Sequence, residues 1–341
     1  MVRTRTRQFF YLGIGVATVL LAQQPARASE GGASFYLLGS GGPGAAILPP
    51  LTGIFFDNSY YHYHGSAGGG RQFVVGGNLV AGLDATINAD FPTVLWVPTT
   101  HFAGGTLALG GTLVFGQPNI DVDAVITGPR GGQVAISRSD KAFVVGDPIL
   151  TGELGWNLGS SAHLSTAAMV NIPIGEYREG ELANMSFHRW IVDWSTALTW
   201  HDPKAGWDVS GKAGLTFNGT NHFTDYDTGT ELHLEASIER MFSKAFSAGI
   251  QAYHYQQISG DSGSGATLGS FKGRVSGVGA TAAYNFEAGH TPVTLRGRLF
   301  KEFGEKNRLG NGTGIMFSLD IPFKMNLPKA PPGTAPAKPS E

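Results

Sequence analysis

Apolar and polar side chains alternate along much of this chain with a period of two residues. Within residues 189–200, Trp194 and Leu198 occupy even positions, and Asp193 and Ser195 occupy odd ones. Successive side chains of a β-strand point to opposite faces, so this period predicts strands with one apolar and one polar face. An amphipathic helix would instead repeat every 3.6 residues. The alternation therefore favours an all-β fold.

Seven segments show the alternation clearly and five show it more weakly. The clear segments are residues 149–158, 189–200, 207–218, 231–238, 246–257, 293–302 and 314–323. The weaker segments are residues 54–63, 73–88, 105–115, 163–172 and 272–286. The sequence thus predicts about twelve antiparallel strands, within a range of roughly 10 to 14.

Glycine, cysteine and charge narrow the class of protein. The 341 residues include 50 Gly and no Cys, and only 15% are charged. Glycine disfavours long helices, because each Gly inside a helix costs about 1 kcal/mol relative to Ala. The missing cysteine excludes disulfides and thiolate chemistry, and a net charge of −2 gives no reason to expect nucleic acid as a partner. A β protein remains, either water-soluble or embedded in a membrane.

The links between the predicted strands alternate in length, which favours the membrane alternative. The short links are residues 159–162, 201–206, 242–245 and 287–292, and the long links are residues 175–188, 219–228, 258–271 and 304–312. Outer-membrane barrels have short periplasmic turns and long extracellular loops, and strands of about 10 residues can cross the bilayer. We therefore expect a transmembrane antiparallel β-barrel over residues 51–323, with both termini in the periplasm.

The N-terminal residues have the composition of a secretory signal peptide. Three arginines precede an uncharged apolar run at residues 9–22, and Ala26 and Ala28 match the small residues of a cleavage site. A spanning helix would need about 20 apolar residues, so the run is too short for a membrane anchor. We expect a signal peptide over residues 1–28 and an exported mature chain.

Two segments flank the predicted barrel. Residues 29–50 are too rich in Gly and Pro for a spanning strand, and we expect them either inside the lumen as a plug or at its periplasmic mouth. Residues 324–341 are rich in Pro, Ala and Lys, a composition that predicts a disordered periplasmic tail.

Several blocks of sequence resemble a known family. The blocks are residues 35–56, 146–150, 154–156, 172–177, 217–237, 253–279 and 302–313, of which the last three are long and specific. On these blocks the chain resembles the outer-membrane family named after the meta-pathway of phenol degradation, whose members are commonly described as transporters. The resemblance implies a channel for passive uptake of small hydrophobic or aromatic compounds, with outer-membrane lipid and those solutes as partners. It supplies no site residues, and it implies neither an enzyme nor a cofactor.

Strand parity indicates which polar side chains line the lumen. The candidates for contact with a permeant are Arg189, Asp193, Asp208, Lys212, Glu231, His233, Glu235, Glu239, Tyr253, Tyr255, Arg296 and Arg298. Opposite charges across a narrow pore either pair and close it or form a constriction that orients permeants. The tyrosines add aromatic surface on which a solute could stack. The sequence leaves both alternatives for the charges open.

Two motifs raise the alternative of an enzyme. The GDSGSG motif at residues 260–265 resembles the nucleophile turn of serine proteases, but the accompanying histidine motif is missing. His254 and Ser276 share the lipid-facing parity and, with Gln256, could form the catalytic group of an outer-membrane lipid hydrolase. A structural or adhesion barrel that transports nothing is a further alternative. We predict no catalytic residues.

His62 and His64 also lie on one face of a predicted strand. Their spacing permits joint contact with a metal ion, but the tyrosines around them favour an aromatic girdle at the membrane interface. We therefore predict no metal site and no cofactor.

Overall fold

A computed structural model describes residues 30–75, 77–127 and 133–325. The predicted signal peptide and nearly all of the predicted tail lie outside these residues. A short 3-10 turn, Glu30–Gly32, precedes the strands. The strands are β1 (Gly53–Val75), β2 (Asn78–Phe102), β3 (Gly105–Thr112), β4 (Phe115–Thr127), β5 (Gln133–Lys141), β6 (Val144–Val145), β7 (Ile149–Asn157), β8 (Ala162–Asn171), β9 (Ile191–Asp202), β10 (Trp207–Asn218), β11 (Thr220–Asn221), β12 (Tyr226–Asp227), β13 (Glu231–Met241), β14 (Phe246–Gln257), β15 (Arg274–Ala288), β16 (Thr291–Lys306) and β17 (Gly310–Met325). In this part of the chain, no helix has the length and apolar character that a membrane crossing needs.

The strands form a closed antiparallel barrel. β1 pairs with β2 on one side and with β17 on the other, so that Gly53 lies opposite both Val97 and Met325. Of the 15 strands in the main sheet, β4, β5 and β6 lie off the ring. Within the described residues, twelve strands therefore close it: β1, β2, β3, β7, β8, β9, β10, β13, β14, β15, β16 and β17. The predicted all-β fold and strand number are confirmed.

The two faces of the barrel wall differ in polarity. In β9, buried and exposed residues alternate from Ile191 to Trp200. Trp194 and Leu198 point outward and are 57% and 55% exposed, whereas Asp193 points into the lumen and is fully buried. A charged side chain on the lipid side of a barrel costs about 2 to 4 kcal/mol at the bilayer midplane. The alternation seen in the sequence thus separates a lipid-facing from a lumen-facing surface.

The structure corrects one predicted strand and one predicted link. The alternation over residues 73–88 predicts one strand, but the chain reverses inside it, since β1 ends at Val75 and β2 begins at Asn78. Gly77 has a φ of +80° in this tight turn, a conformation that glycine adopts without strain. The predicted long link at residues 304–312 is also wrong, because β16 and β17 extend into it and leave a turn of residues 307–309. Alternation continues on both sides of each turn and does not locate it.

The sequence analysis also missed β4 and β5. Residues 83–90 of β2 pair with β4, whereas residues 93–102 pair with β3. β4 then pairs with β5 and, at Phe115 and Gly116, with β6. The loop after β8 contacts β6, because the Glu176 amide donates to the Val145 carbonyl oxygen at 2.8 Å. The backbone is tight here, because a Cβ on Gly175 would lie 2.4 Å from the carbonyl carbon of Gly146. Met185 packs against Gly116 in the same region.

A charge on the outer face should destabilise the barrel in proportion to its depth. We expect Leu198→Arg to lower the free energy of unfolding by about 2 to 4 kcal/mol, because Leu198 lies in the middle of the lipid-facing surface. Phe323→Arg, near the end of β17, should cost about 0 to 1 kcal/mol. Denaturant unfolding in lipid vesicles measures both values. Equal losses for the two variants would contradict the proposed lipid-facing surface.

Candidate functional site

The N-terminal segment, residues 30–50, lies inside the barrel. Arg189 Nη1 donates a hydrogen bond to Glu30 Oε2 at 3.0 Å, and both side chains are buried. Further along the segment, the Gly44 amide donates to Asp208 Oδ1 at 3.1 Å. Both partners project from the inner face of the wall. The sequence allowed two positions for this segment, and in the structure the segment lies in the lumen.

A buried carboxylate holds the centre of the N-terminal segment. The Gly39 amide donates to Glu235 Oε1 at 2.7 Å, and Gln251 Nε2 donates to the Gly39 carbonyl oxygen at 3.1 Å. Gly39 has a φ of +89°, and a Cβ there would lie 2.6 Å from the Phe300 ring. Both the backbone conformation and the close packing therefore require glycine at this position.

Tyr36 is fixed by aromatic and charged neighbours. Its ring stacks on His233 with centroids 3.6 Å apart, and Lys212 Nζ lies 5.1 Å from the ring centre. His233 is held in turn by Asp193, whose Oδ2 lies 2.9 Å from Nε2 of the imidazole. Burial, and next the Glu235 carboxylate, raise the pKa of the Tyr36 phenol. Tyr36 therefore stays neutral at physiological pH.

All twelve residues proposed from strand parity lie on the inner face of the barrel. Three are half-buried: Lys212, Arg296 and Arg298. The other nine are buried: Arg189, Asp193, Asp208, Glu231, His233, Glu235, Glu239, Tyr253 and Tyr255. Their contact with a permeant remains a prediction.

Most of these residues contact one another or the N-terminal segment. Arg296 forms an ion pair with Glu239, and Tyr255 donates its hydroxyl to Glu231 Oε1 at 2.6 Å. Pairing of this kind lowers the cost of burying charge. In contrast, Arg298 Nε is buried and has no hydrogen-bond partner within the part of the chain that the structure describes. Most charged side chains in the lumen are thus paired, and they do not form a ring of free charges.

One side of the N-terminal segment faces a cavity that we call the apolar chamber. Its volume is about 240 Å³. The chamber lies between the segment, the inner faces of β1, β2 and β4, and the loop after β8. Its walls include Phe35, Leu38, Tyr61, Ile87, Ala89 and Met185. Such a space accommodates a small molecule with an apolar body.

The other side of the segment faces a polar cavity of about 400 Å³. Its walls include Ser40, Asp57, Arg296, Arg298 and Asp320. Asp57 and Asp320 are register partners in β1 and β17, close to the barrel end that holds Gly53 and Met325. The N-terminal segment therefore lies between an apolar and a polar compartment.

Apart from Arg189, sequence reasoning missed the residues of the apolar chamber. Tyr63 was grouped with an aromatic girdle, yet it points inward and donates its hydroxyl to Glu302 Oε2 at 2.8 Å. Tyr253 donates to Glu302 Oε1 at 2.9 Å. Arg308 also lines the chamber, although it falls in the predicted extracellular link. The strand parity of Tyr61 and Tyr63 was the one signal that could have revealed them.

The two histidines considered for metal contact hydrogen-bond to neighbouring side chains. His62 Nδ1 lies 2.8 Å from Asn88 Oδ1, and His64 Nδ1 lies 3.2 Å from Thr86 Oγ1. Within the described residues, no group of three or more His, Cys, Asp or Glu side chains is placed to hold a metal ion.

Hydrogen bonds to neighbouring residues surround the two motifs considered for catalysis. His254 and Ser276 are register partners, with Nδ1 and Oγ 2.9 Å apart. Gln256, proposed as their third member, makes no hydrogen bond to His254 in the described part of the chain. In the GDSGSG loop, buried Asp261 accepts hydrogen bonds from the Tyr226 hydroxyl at 2.7 Å and the Gly229 amide at 3.0 Å. These hydrogen bonds order the loop around the Asp261 side chain, whose pKa is raised by burial.

A closed antiparallel barrel with an apolar outer face is the architecture of an outer-membrane β-barrel protein. The chain belongs to the family described as "Putative MetA-pathway of phenol degradation", whose model matches residues 69–319. This match confirms the resemblance found in the sequence. No curated protein matches the chain.

Solved outer-membrane barrels are similar to this structure. The COG4313 outer membrane channel from Pseudomonas putida F1 has a TM-score of 0.63 at 17% identity, with 82% of this chain and 99% of that chain covered. A Pseudomonas aeruginosa FadL homologue has a TM-score of 0.37 at 10% identity, covering 87% of this chain and 98% of that one. The β domain of the Bordetella autotransporter Brka has a TM-score of 0.43 at 11% identity, covering 80% of this chain and 100% of that one. The likeness to the first of these supports the barrel fold.

Loss of the Glu235 carboxylate should release the N-terminal segment. Because the chain has no cysteine, Leu38→Cys would introduce a single thiol at a buried position. Adding Glu235→Ala should speed maleimide labelling of that thiol by roughly tenfold, since a buried donor left without its partner, here the Gly39 amide, costs about 1 to 3 kcal/mol. Exposed Glu287 supplies the matched control, Glu287→Ala. Equal labelling rates for the two double variants would show that Glu235 does not anchor the segment.

Proposed function

We propose that this protein is an outer-membrane channel for passive uptake of small hydrophobic or aromatic compounds. The apolar chamber is the observation that carries the proposal. An engineered protein cavity of about 150 Å³ with apolar walls binds benzene, and the chamber, at about 240 Å³, is larger. Its aromatic side chains offer surfaces for stacking, and family membership associates the chain with phenol degradation.

The proposal includes the route of export and the orientation. We propose that residues 1–28 are removed as a signal peptide, that both termini face the periplasm, and that residues 324–341 form a periplasmic tail. The polar cavity would then open towards the periplasm and the apolar chamber would lie towards the cell exterior. A solute would leave the chamber past the N-terminal segment, whose hydrogen bonds to Glu235 and Gln251 would have to open. The polar inner-face residues would line this exit.

One observation favours a second candidate, a structural or adhesion barrel without transport. The N-terminal segment lies across the lumen, and that candidate requires a blocked lumen. Measured uptake separates the two candidates. We propose no catalytic role for His254 and Ser276, whose hydrogen bond fits a polar pair at the membrane interface.

Filling the apolar chamber should reduce uptake. Ala89 is buried and lines the chamber, and we expect Ala89→Trp to lower the initial rate of radiolabelled phenol uptake by roughly tenfold in Gram-negative cells that depend on this protein. Ala252→Trp is the matched control, because Ala252 is exposed on the lipid-facing surface and an aromatic residue is tolerated there. Amounts of folded protein are equalised by heat-modifiable gel migration.

Wild-type uptake no faster than in cells without the protein would overturn the transport proposal and leave the non-transporting barrel. Uptake by the wild type that is unchanged in Ala89→Trp would place the route outside the apolar chamber.

A further inference from the structure

Arg308 presents an unpartnered donor at the wall of the apolar chamber. It lies in the turn between β16 and β17 and is 8% exposed. Its guanidinium carbon lies 4.3 Å from the centre of the Tyr255 ring. Its Nη1 is buried and has no hydrogen-bond partner among the described residues. The donor is therefore both shielded from bulk water and unsatisfied by the protein.

Three other arginines of the lumen and the adjoining loops have carboxylate partners, whereas Arg298 lies in the polar cavity and donates from Nη1 to Ser318 Oγ at 3.4 Å. Arg189 pairs with Glu30 at 3.0 Å, Arg178 with Asp140 at 3.4 Å, and Arg296 with Glu239. A buried donor without a partner costs stability, because its lost hydration is not replaced. Sites that recognise a polar group on an otherwise apolar molecule have this kind of donor, which the ligand satisfies. Arg308 thus has the features of a ligand-binding group.

The charges around the chamber indicate which ligand Arg308 accepts. Among the described residues, the charged side chains of the wall besides Arg308 are those of Glu30, Asp147, Arg189 and Glu302. Glu30 and Arg189 neutralise each other, and Glu302 balances the charge of Arg308, which leaves the Asp147 carboxylate in excess. A carboxylate ligand would add a further buried negative charge, whereas a neutral acceptor would not. The electrostatics therefore favour a neutral ligand.

We propose that the apolar chamber selects neutral aromatic molecules that carry one oxygen acceptor, and that Arg308 determines this specificity. The aromatic ring lies among apolar side chains such as Leu38 and Ile87, and the oxygen accepts a hydrogen bond from Arg308 Nη1. This inference deepens the proposed function and rests on it for the identity of the site. It distinguishes oxygen-bearing aromatics from aromatic hydrocarbons and from aromatic acids.

Equilibrium binding to the purified, detergent-solubilised full chain tests this specificity. The probes are toluene, benzaldehyde and benzoate, which share a ring and differ in the polar group, and ligand-observed NMR against empty micelles corrects for partition into detergent. We expect benzaldehyde to bind roughly tenfold more tightly than toluene, and more tightly than benzoate. Arg308→Met should abolish the preference for benzaldehyde while toluene still binds. Arg274→Met, at an exposed position of β15, should leave the preference unchanged.

Equal binding of benzaldehyde and toluene to the wild type would overturn the specificity, whether or not the Arg308 variant folds. A preference that persists in Arg308→Met would remove Arg308 from the site, and tighter binding of benzoate would overturn the neutral ligand class. These results leave the transport proposal intact, because it depends on uptake and not on discrimination between probes. If cells show no phenol uptake but the purified protein still prefers benzaldehyde to toluene, only the transport proposal is overturned.

Discussion

Lipid offers no hydrogen bonds to a polypeptide backbone, and the rest of this structure depends on that constraint. A sheet can cross the bilayer only if its first and last strands meet, as β1 and β17 do here. Closure with twelve strands gives every strand an inner face that lipid cannot reach. Polar groups collect on that face, and they need partners of their own. The N-terminal segment supplies many of them, so the contents of the lumen follow from the closure of the wall.

The N-terminal segment divides the lumen into two compartments, because its hydrogen-bond partners hold it across the barrel. Glu235 and Gln251 bind the backbone of Gly39 from two neighbouring strands, β13 and β14. On one side of this contact the wall is mostly apolar, and on the other it has Asp57, Asp320 and two arginines. A solute that passes from one compartment to the other exchanges an apolar environment for a polar one. The N-terminal segment is therefore a chemical boundary as well as a physical one.

The fold could be predicted from the sequence because lipid and lumen impose opposite demands on alternate residues. In β9, Trp194 and Asp193 show this clearly, and the same parity placed all the proposed lumen residues on the inner face. β4 was missed although its residues 117–123 alternate, because its buried side chains, Pro118, Ile120 and Val122, are apolar and the side chains between them are polar, which is the reverse of β9. The apolar chamber was missed for a different reason. It depends on contacts such as Gly39 with Glu235, which are 196 residues apart in sequence, and local patterns contain no information about such pairs.

That separation in sequence has a consequence for biogenesis. The N-terminal segment is synthesised and exported before any of the strands that bind it, yet Glu235 and Gln251 reach their positions only when β13 and β14 have joined the sheet. Contacts between distant residues form late, because the chain must first lose the entropy of the long loop between them. At Gly39, the segment is therefore expected to become fixed only after β13 and β14 have paired, near the end of barrel assembly. The order of synthesis and the order of docking are opposite in this protein.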